Sequence, residues 1–122
     1  MKKKVVIIDD EPWTRDVIVK LTRWQELGLE LVGEAADGET GMELIREIRP
    51  DIVITDVRMP RISGIELVRI MRGEGLSTPV LIISGYDEFE YVRSALKLGV
   101  ADYLLKPIKA EELNQQLKSC VQ

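Results

Sequence analysis

The sequence predicts an α/β domain built on a doubly wound parallel sheet, and three observations lead there. Short β-branched runs alternate with longer segments of helical period along the whole chain. The apolar runs fit strands buried on both faces of a sheet. The length, 122 residues, suits one hydrophobic core and is too short for two, so residues 1–122 read as one domain.

The first strand is Val5 to Ile8. A helix follows with Val17, Ile18, Leu21, Trp24 and Leu27 on one face, Pro12 suited to its first turn and Gly28 to its stop. Leu29 to Ala35 alternates more weakly and reads as a strand nearer an edge. A second helix starts after Asp37-Gly38, carries Met42, Ile45 and Ile48, and ends before Pro50. Ile52 to Ile54 is the third strand. The third helix follows Ser63-Gly64 with Leu67, Val68 and Met71, until Gly73 and Gly75 break it. Val80 to Ile83 is the fourth strand, followed by a helix from about Asp87 to Leu98 that Gly99 closes. Tyr103 to Leu105 reads as a central strand with the first, third and fourth, and a last helix runs from about Ala110 to the end. About five strands and five helices in alternation are the sign of a doubly wound sheet.

Composition narrows the chemistry. Hydrophobic residues make up 45% and charged residues 31%, a globular balance. A net charge of -4 gives no overall basic field to hold a phosphate backbone, so direct nucleic-acid binding is not expected. Lys2-Lys3-Lys4 precedes a strand and reads as a solvated terminus. Cys120 is the only cysteine, which excludes an internal disulfide and suits a reducing compartment; at helical spacing from Leu113 and Leu117 it reads as a small apolar residue. With no histidine, the usual zinc ligand and the usual general base are missing, and chemistry falls to carboxylates, hydroxyls and lysine. No stretch is apolar and long enough for a signal peptide or a membrane span, so a cytoplasmic protein is expected.

Two strands end in acid: Val5-Val6-Ile7-Ile8 runs into Asp9-Asp10-Glu11-Pro12, and DIVITDVRMP carries Ile52-Val53-Ile54 into Asp56. In an open parallel sheet the residues just past the strand C-termini gather at one rim, where ligands bind. That rim receives Asp9 and Asp10 from the first strand, Asp56 from the third, Ser84 from the fourth and Lys106 from the fifth. Singly, each is an ordinary turn residue. Together they need cations, because two carboxylates about 4 Å apart repel by about 4 kcal/mol at an effective dielectric near 20. Lys106 supplies one positive charge. All-oxygen donors without imidazole or thiolate suit Mg²⁺ as the second. A carboxylate flanked by Mg²⁺ and an ammonium is a nucleophile for phosphorus, and the reaction then needs positioning and charge neutralisation more than a base.

On these residues the whole chain closely resembles the receiver domain of bacterial two-component response regulators, a flavodoxin-like fold with strand order 2-1-3-4-5. The family's paired acids match Asp9 and Asp10 in IIDDEP, its phosphorylated aspartate matches Asp56 in DIVITDVRMP with Gly64 downstream, its hydroxyl matches Ser84 in LIISGY, and its lysine matches Lys106 in YLLKP. The resemblance implies that Asp56 accepts a phosphoryl group from a phosphohistidine of a sensor kinase, the receiver catalysing both transfer and later hydrolysis. It implies Mg²⁺ held by Asp10, Asp56 and the main-chain carbonyl of Arg58, with Asp9 helping through water, and a cis Lys106-Pro107 peptide. It also implies a switch: Ser84 turns toward the phosphoryl group, and Tyr103 fills the vacated space, reshaping the surface of the fourth helix, fifth strand and fifth helix. Tyr103 also reads, more plainly, as a half-buried strand aromatic.

The stretch from Ser84 to Pro107 is similar to receivers that precede an AraC-type helix-turn-helix module, so a DNA-binding output domain is expected outside this chain. Phosphorylation-dependent pairing through the fourth-to-fifth-helix face is a further expectation from family likeness. Ser84 stands where threonine is commoner and keeps the hydroxyl. Arg58 and Tyr86 are large neighbours expected to restrict water and prolong the phosphoryl lifetime. Among other readings, an aspartyl-phosphate phosphohydrolase would carry a second acid two residues after the nucleophile, where Arg58 stands. A docking module on the same fold would have lost an acid or the lysine. Neither G-x-x-x-x-G-K-[ST] nor G-x-G-x-x-G occurs to suggest nucleotide binding. A signalling switch is the expected role, not a metabolic enzyme.

Overall fold

A computed structural model of the chain describes residues 1–85 and 89–121, apart from the side chains of Phe89, Tyr91 and Val92. Five parallel strands, β1 (Lys3–Ile8), β2 (Leu29–Ala35), β3 (Ile52–Asp56), β4 (Val80–Ser84) and β5 (Asp102–Leu105), form one sheet in the order β2-β1-β3-β4-β5. Around it lie α1 (Pro12–Leu21), α2 (Trp24–Leu27), α3 (Gly38–Ile48), α4 (Gly64–Gly73), α5 (Phe89–Lys97) and α6 (Ala110–Val121). The predicted architecture and strand order are those observed.

Strand residues alternate between the two faces, so each central strand feeds two cores. Val6, Ile8, Val53, Val80 and Ile82 pack with Met42, Ile45, Leu67, Val68 and Met71 of α3 and α4. Val5, Ile7, Ile52, Ile54, Leu81 and Ile83 pack on the other face with Ile18 of α1 and Leu113 and Leu117 of α6. Cys120 is partly buried against this second core, as its spacing suggested.

The structure corrects two sequence expectations. The first predicted helix is two, α1 and α2, because the chain turns extended at Thr22. Side chains take over the backbone there: the Thr22 hydroxyl donates to the Ile18 carbonyl, while Asn114 of α6 accepts from the Arg23 amide and donates to the Leu21 carbonyl. Tyr103 to Leu105 is an edge strand, not a central one, and Tyr103 and Leu105 are accordingly exposed. The predicted start of the fourth helix at Asp87 lies outside the described residues.

Candidate functional site

The acidic rim forms where β1 and β3 end. β1 stops at Ile8, leaving Asp9 buried and Asp10 exposed just before α1 begins at Pro12. Asp56 closes β3 and is itself buried. Its Oδ1 accepts from the Val57 amide at 2.8 Å and its Oδ2 lies 3.2 Å from Lys106 Nζ. Lys106 directly follows β5 and is joined to Pro107 by a cis peptide. Carboxylate oxygens of Asp9, Asp10, Glu11 and Asp56 all lie within 4.8 Å of one another, so this cluster can hold a metal ion.

Gly64, at the start of α4, explains how Asp56 is held from behind. Its amide donates to the Val57 carbonyl at 2.8 Å, and a Cβ there would fall 2.1 Å from the Asp56 carbonyl oxygen. Only glycine lets α4 approach the β3 exit this closely. Ser63 starts the helix with a capping box, its hydroxyl accepting from the Glu66 amide while the Glu66 carboxylate accepts from the Ser63 amide.

Electrostatics at the site are lopsided. Asp9 has its pKa pushed up to about 6, chiefly by burial; the Glu11 amide donating to Oδ1 at 2.8 Å opposes this, and the nearby Asp56 charge adds to it. Among the described residues, Asp9 Oδ2 has no hydrogen-bond partner. For Lys106, burial works to lower the pKa, but the carboxylates of Asp56, Asp9 and Glu11 outweigh it and hold the ammonium above the usual lysine value. A buried carboxylate oxygen left unpartnered beside three other acids is the chemistry that a hard cation satisfies, and the donor set fits Mg²⁺.

Every predicted rim residue reaches this end of the sheet. Ser84 closes β4 fully buried, and among the described residues its hydroxyl oxygen also lacks a hydrogen-bond partner. Tyr103 lies on the edge strand, 37% exposed, its side chain turned to solvent. Arg58 is exposed on the β3–α4 loop, where it lines a cleft with Asp10, Met59 and Ser63. Tyr86 lies outside the described residues. Sequence reasoning missed Glu11, which joins the carboxylate cluster and approaches Lys106 Nζ at 3.7 Å; its place directly after the acid pair was the available signal.

A family model described as "Response regulator receiver domain" matches residues 5–118. The chain belongs to this receiver-domain family. It is 36% identical over 118 residues to the Bacillus subtilis transcriptional regulatory protein YesN, covering 97% of this chain and 32% of YesN. It is 38% identical over 110 residues to the transcriptional regulatory protein HptR of Staphylococcus aureus, covering 90% of this chain and 43% of HptR. The receiver thus spans less than half the length of the curated relatives it matches. Among solved structures, the REC domain of AraT, a response regulator from Geobacillus stearothermophilus, superposes with a TM-score of 0.92 at 38% identity, covering 98% of this chain and 93% of that one. The receiver domain of a NarL response regulator from Mycobacterium tuberculosis gives 0.88 at 36% identity, covering 98% and 95%. Among the described residues, no helix is long and apolar enough to cross a membrane.

Proposed function

We propose that residues 1–122 form a receiver that accepts a phosphoryl group on Asp56 and thereby switches an output. The observation that carries this reading is the buried Asp56 carboxylate paired with Lys106 at 3.2 Å, beside the unpartnered Asp9 oxygen, in a chain of the receiver family. An Asp56 oxygen attacks the phosphorus of a phosphohistidine on a sensor kinase; the P–N bond breaks and its electron pair stays on the departing imidazole. Lys106, already at Asp56, pairs with a phosphoryl oxygen and offsets the charge that builds there. Asp10, Asp56 and the main-chain carbonyl of Arg58 would hold Mg²⁺, with Asp9 assisting through water. When bound, the ion supplies the positive charge that lets these carboxylates and a phosphoryl group share one rim.

The same residues then govern the later steps. The unpartnered Ser84 hydroxyl is a free donor for a phosphoryl oxygen, and Tyr103 moves inward behind it, changing the α5–β5–α6 surface. Leu96, Tyr103 and Leu105 are exposed on these elements and form the surface through which two phosphorylated copies pair. Arg58 and Tyr86 slow water attack on the acyl phosphate. The output is a DNA-binding domain outside this chain, in keeping with the transcriptional regulators among its relatives, and the protein works in the cytoplasm. Sedimentation with and without beryllium fluoride and Mg²⁺ tests the pairing, a dimer being expected only with both. Incubation with acetyl phosphate and Mg²⁺ tests the central step: intact mass gains one phosphoryl group in wild type and none in Asp56→Asn, and equal labelling of both would refute it.

A further inference from the structure

Arg15, the fourth residue of α1, has no part in the chemistry proposed above. Helical side chains lean toward the helix N-terminus, and this one reaches back over its own first turn. Its Nη1 donates to the main-chain carbonyl of Asp9, and its Nε donates to Glu34 Oε1 at 3.2 Å. The side chain is only 18% exposed. On the other side of the same residue, the Asp9 amide donates to the Ala35 carbonyl at 3.0 Å. The chain leaving β1 is therefore held at two successive peptides, one by β2 backbone and one by a guanidinium that is itself anchored at the end of β2.

The carbonyl that Arg15 grips belongs to the peptide joining Asp9 to Asp10. That unit is planar, so fixing its carbonyl direction also fixes the Asp10 amide and with it the direction in which the Asp10 chain departs. Asp10 is exposed, and the contact on the preceding peptide restrains where its carboxylate stands. A partly exposed ion pair such as Arg15–Glu34 adds little to stability by itself, so a role in holding geometry gives a different signature from a role in holding the fold.

We infer that Arg15, oriented by Glu34, is a positioning residue for divalent-cation binding, fixing the Asp9–Asp10 peptide and so the Asp10 carboxylate. This rests on the reading of the acidic rim as a cation site. The test is calorimetric titration of MgCl₂ into the 122-residue chain as wild type, Arg15→Gln, Arg15→Lys, Glu34→Gln and the Arg15→Gln/Glu34→Gln double variant. Arg15→Gln weakens Mg²⁺ binding about tenfold, the lower end of what the outer partners of metal ligands contribute. Glu34→Gln weakens it less, Arg15→Lys recovers part of the loss, and the double variant is no worse than Arg15→Gln because Glu34 acts through Arg15. Thermal unfolding in EDTA stays close to wild type throughout. An Arg15→Gln affinity equal to wild type, or losses that add in the double variant, would overturn the inference. Should Arg15→Gln fail to fold, Glu34→Gln decides in the same way: a loss of affinity supports the inference and an unchanged one overturns it. A wild type that binds no Mg²⁺ sinks the cation-site reading itself, whereas a binding wild type with an equal variant sinks only the role given to Arg15.

Discussion

Replacing Asp9 by asparagine should make the metal-free receiver more stable at neutral pH, although Asp9 belongs to its acidic rim. Asp9 is 1% exposed, and burial raises its pKa from 3.8 to about 6. Between these values the folded protein binds a proton that the unfolded chain has released, so unfolding free energy falls as pH rises through this window. The stability that protonated Asp9 contributes is fully present below about pH 4 and lost above about pH 6. The gap corresponds to about 3 kcal/mol at pH 7, an upper bound for Asp9→Asn because the amide also needs partners. For a domain of this size the change is on the order of 10 °C in Tm. Urea unfolding of wild type and Asp9→Asn in EDTA at pH 7 and pH 4.5 measures it: the variant leads at pH 7 and the gap shrinks at pH 4.5. Mg²⁺ should narrow the gap at pH 7 as well, since binding to the folded wild type adds stability by mass action. A variant less stable than wild type at pH 7, or a gap independent of pH, would refute the argument from burial.

Three further outcomes follow from particular contacts. Gly64→Ala, whose Cβ would meet the Asp56 carbonyl at 2.1 Å, costs about 1–3 kcal/mol in urea unfolding and lowers the rate of phosphoryl acceptance by displacing Asp56; a change in neither would contradict the close approach. Arg72 donates to the carbonyls of Leu76, Thr78, Leu98 and Gly99, joining the ends of α4 and α5, so Arg72→Met costs about 2–3 kcal/mol in the same assay and a neutral result would remove its structural role. Lys106→Ala leaves Mg²⁺ binding to the rim measurable by titration but slows labelling by acetyl phosphate, and unchanged labelling would show that the 3.2 Å pair with Asp56 is incidental to the transfer.

The positions of the rim residues were legible because they follow from topology. A β-branched run followed by Asp, in a chain that alternates strand and helix, leaves its acid at the C-terminal edge of a parallel sheet whatever the details of packing. Asp9, Asp10, Asp56, Ser84 and Lys106 are placed by that rule alone. What the sequence left hidden depends on contacts between distant segments. Asp9 and Asp10 look alike in IIDDEP, yet only Asp9 is buried, since that depends on where β1 ends against β2 and β3. The break at Thr22 relies in part on Asn114, 91 residues from Arg23, a partner that the local sequence does not announce. The Arg15–Glu34 contact likewise joins two elements through side chains that read as ordinary surface charge. Tyr103 to Leu105 looked central by its apolar leucines alone, whereas the strand order places it at an edge.

The most direct test of the account is to find where the phosphoryl group goes. After reaction with acetyl phosphate and Mg²⁺, borohydride reduction converts an aspartyl phosphate to homoserine, and peptide mass spectrometry reads its position. A single modified residue is expected, Asp56, and none when Mg²⁺ is chelated. Modification of Asp9, Asp10 or Glu11 instead, or labelling of Asp56 that persists in EDTA, would contradict it.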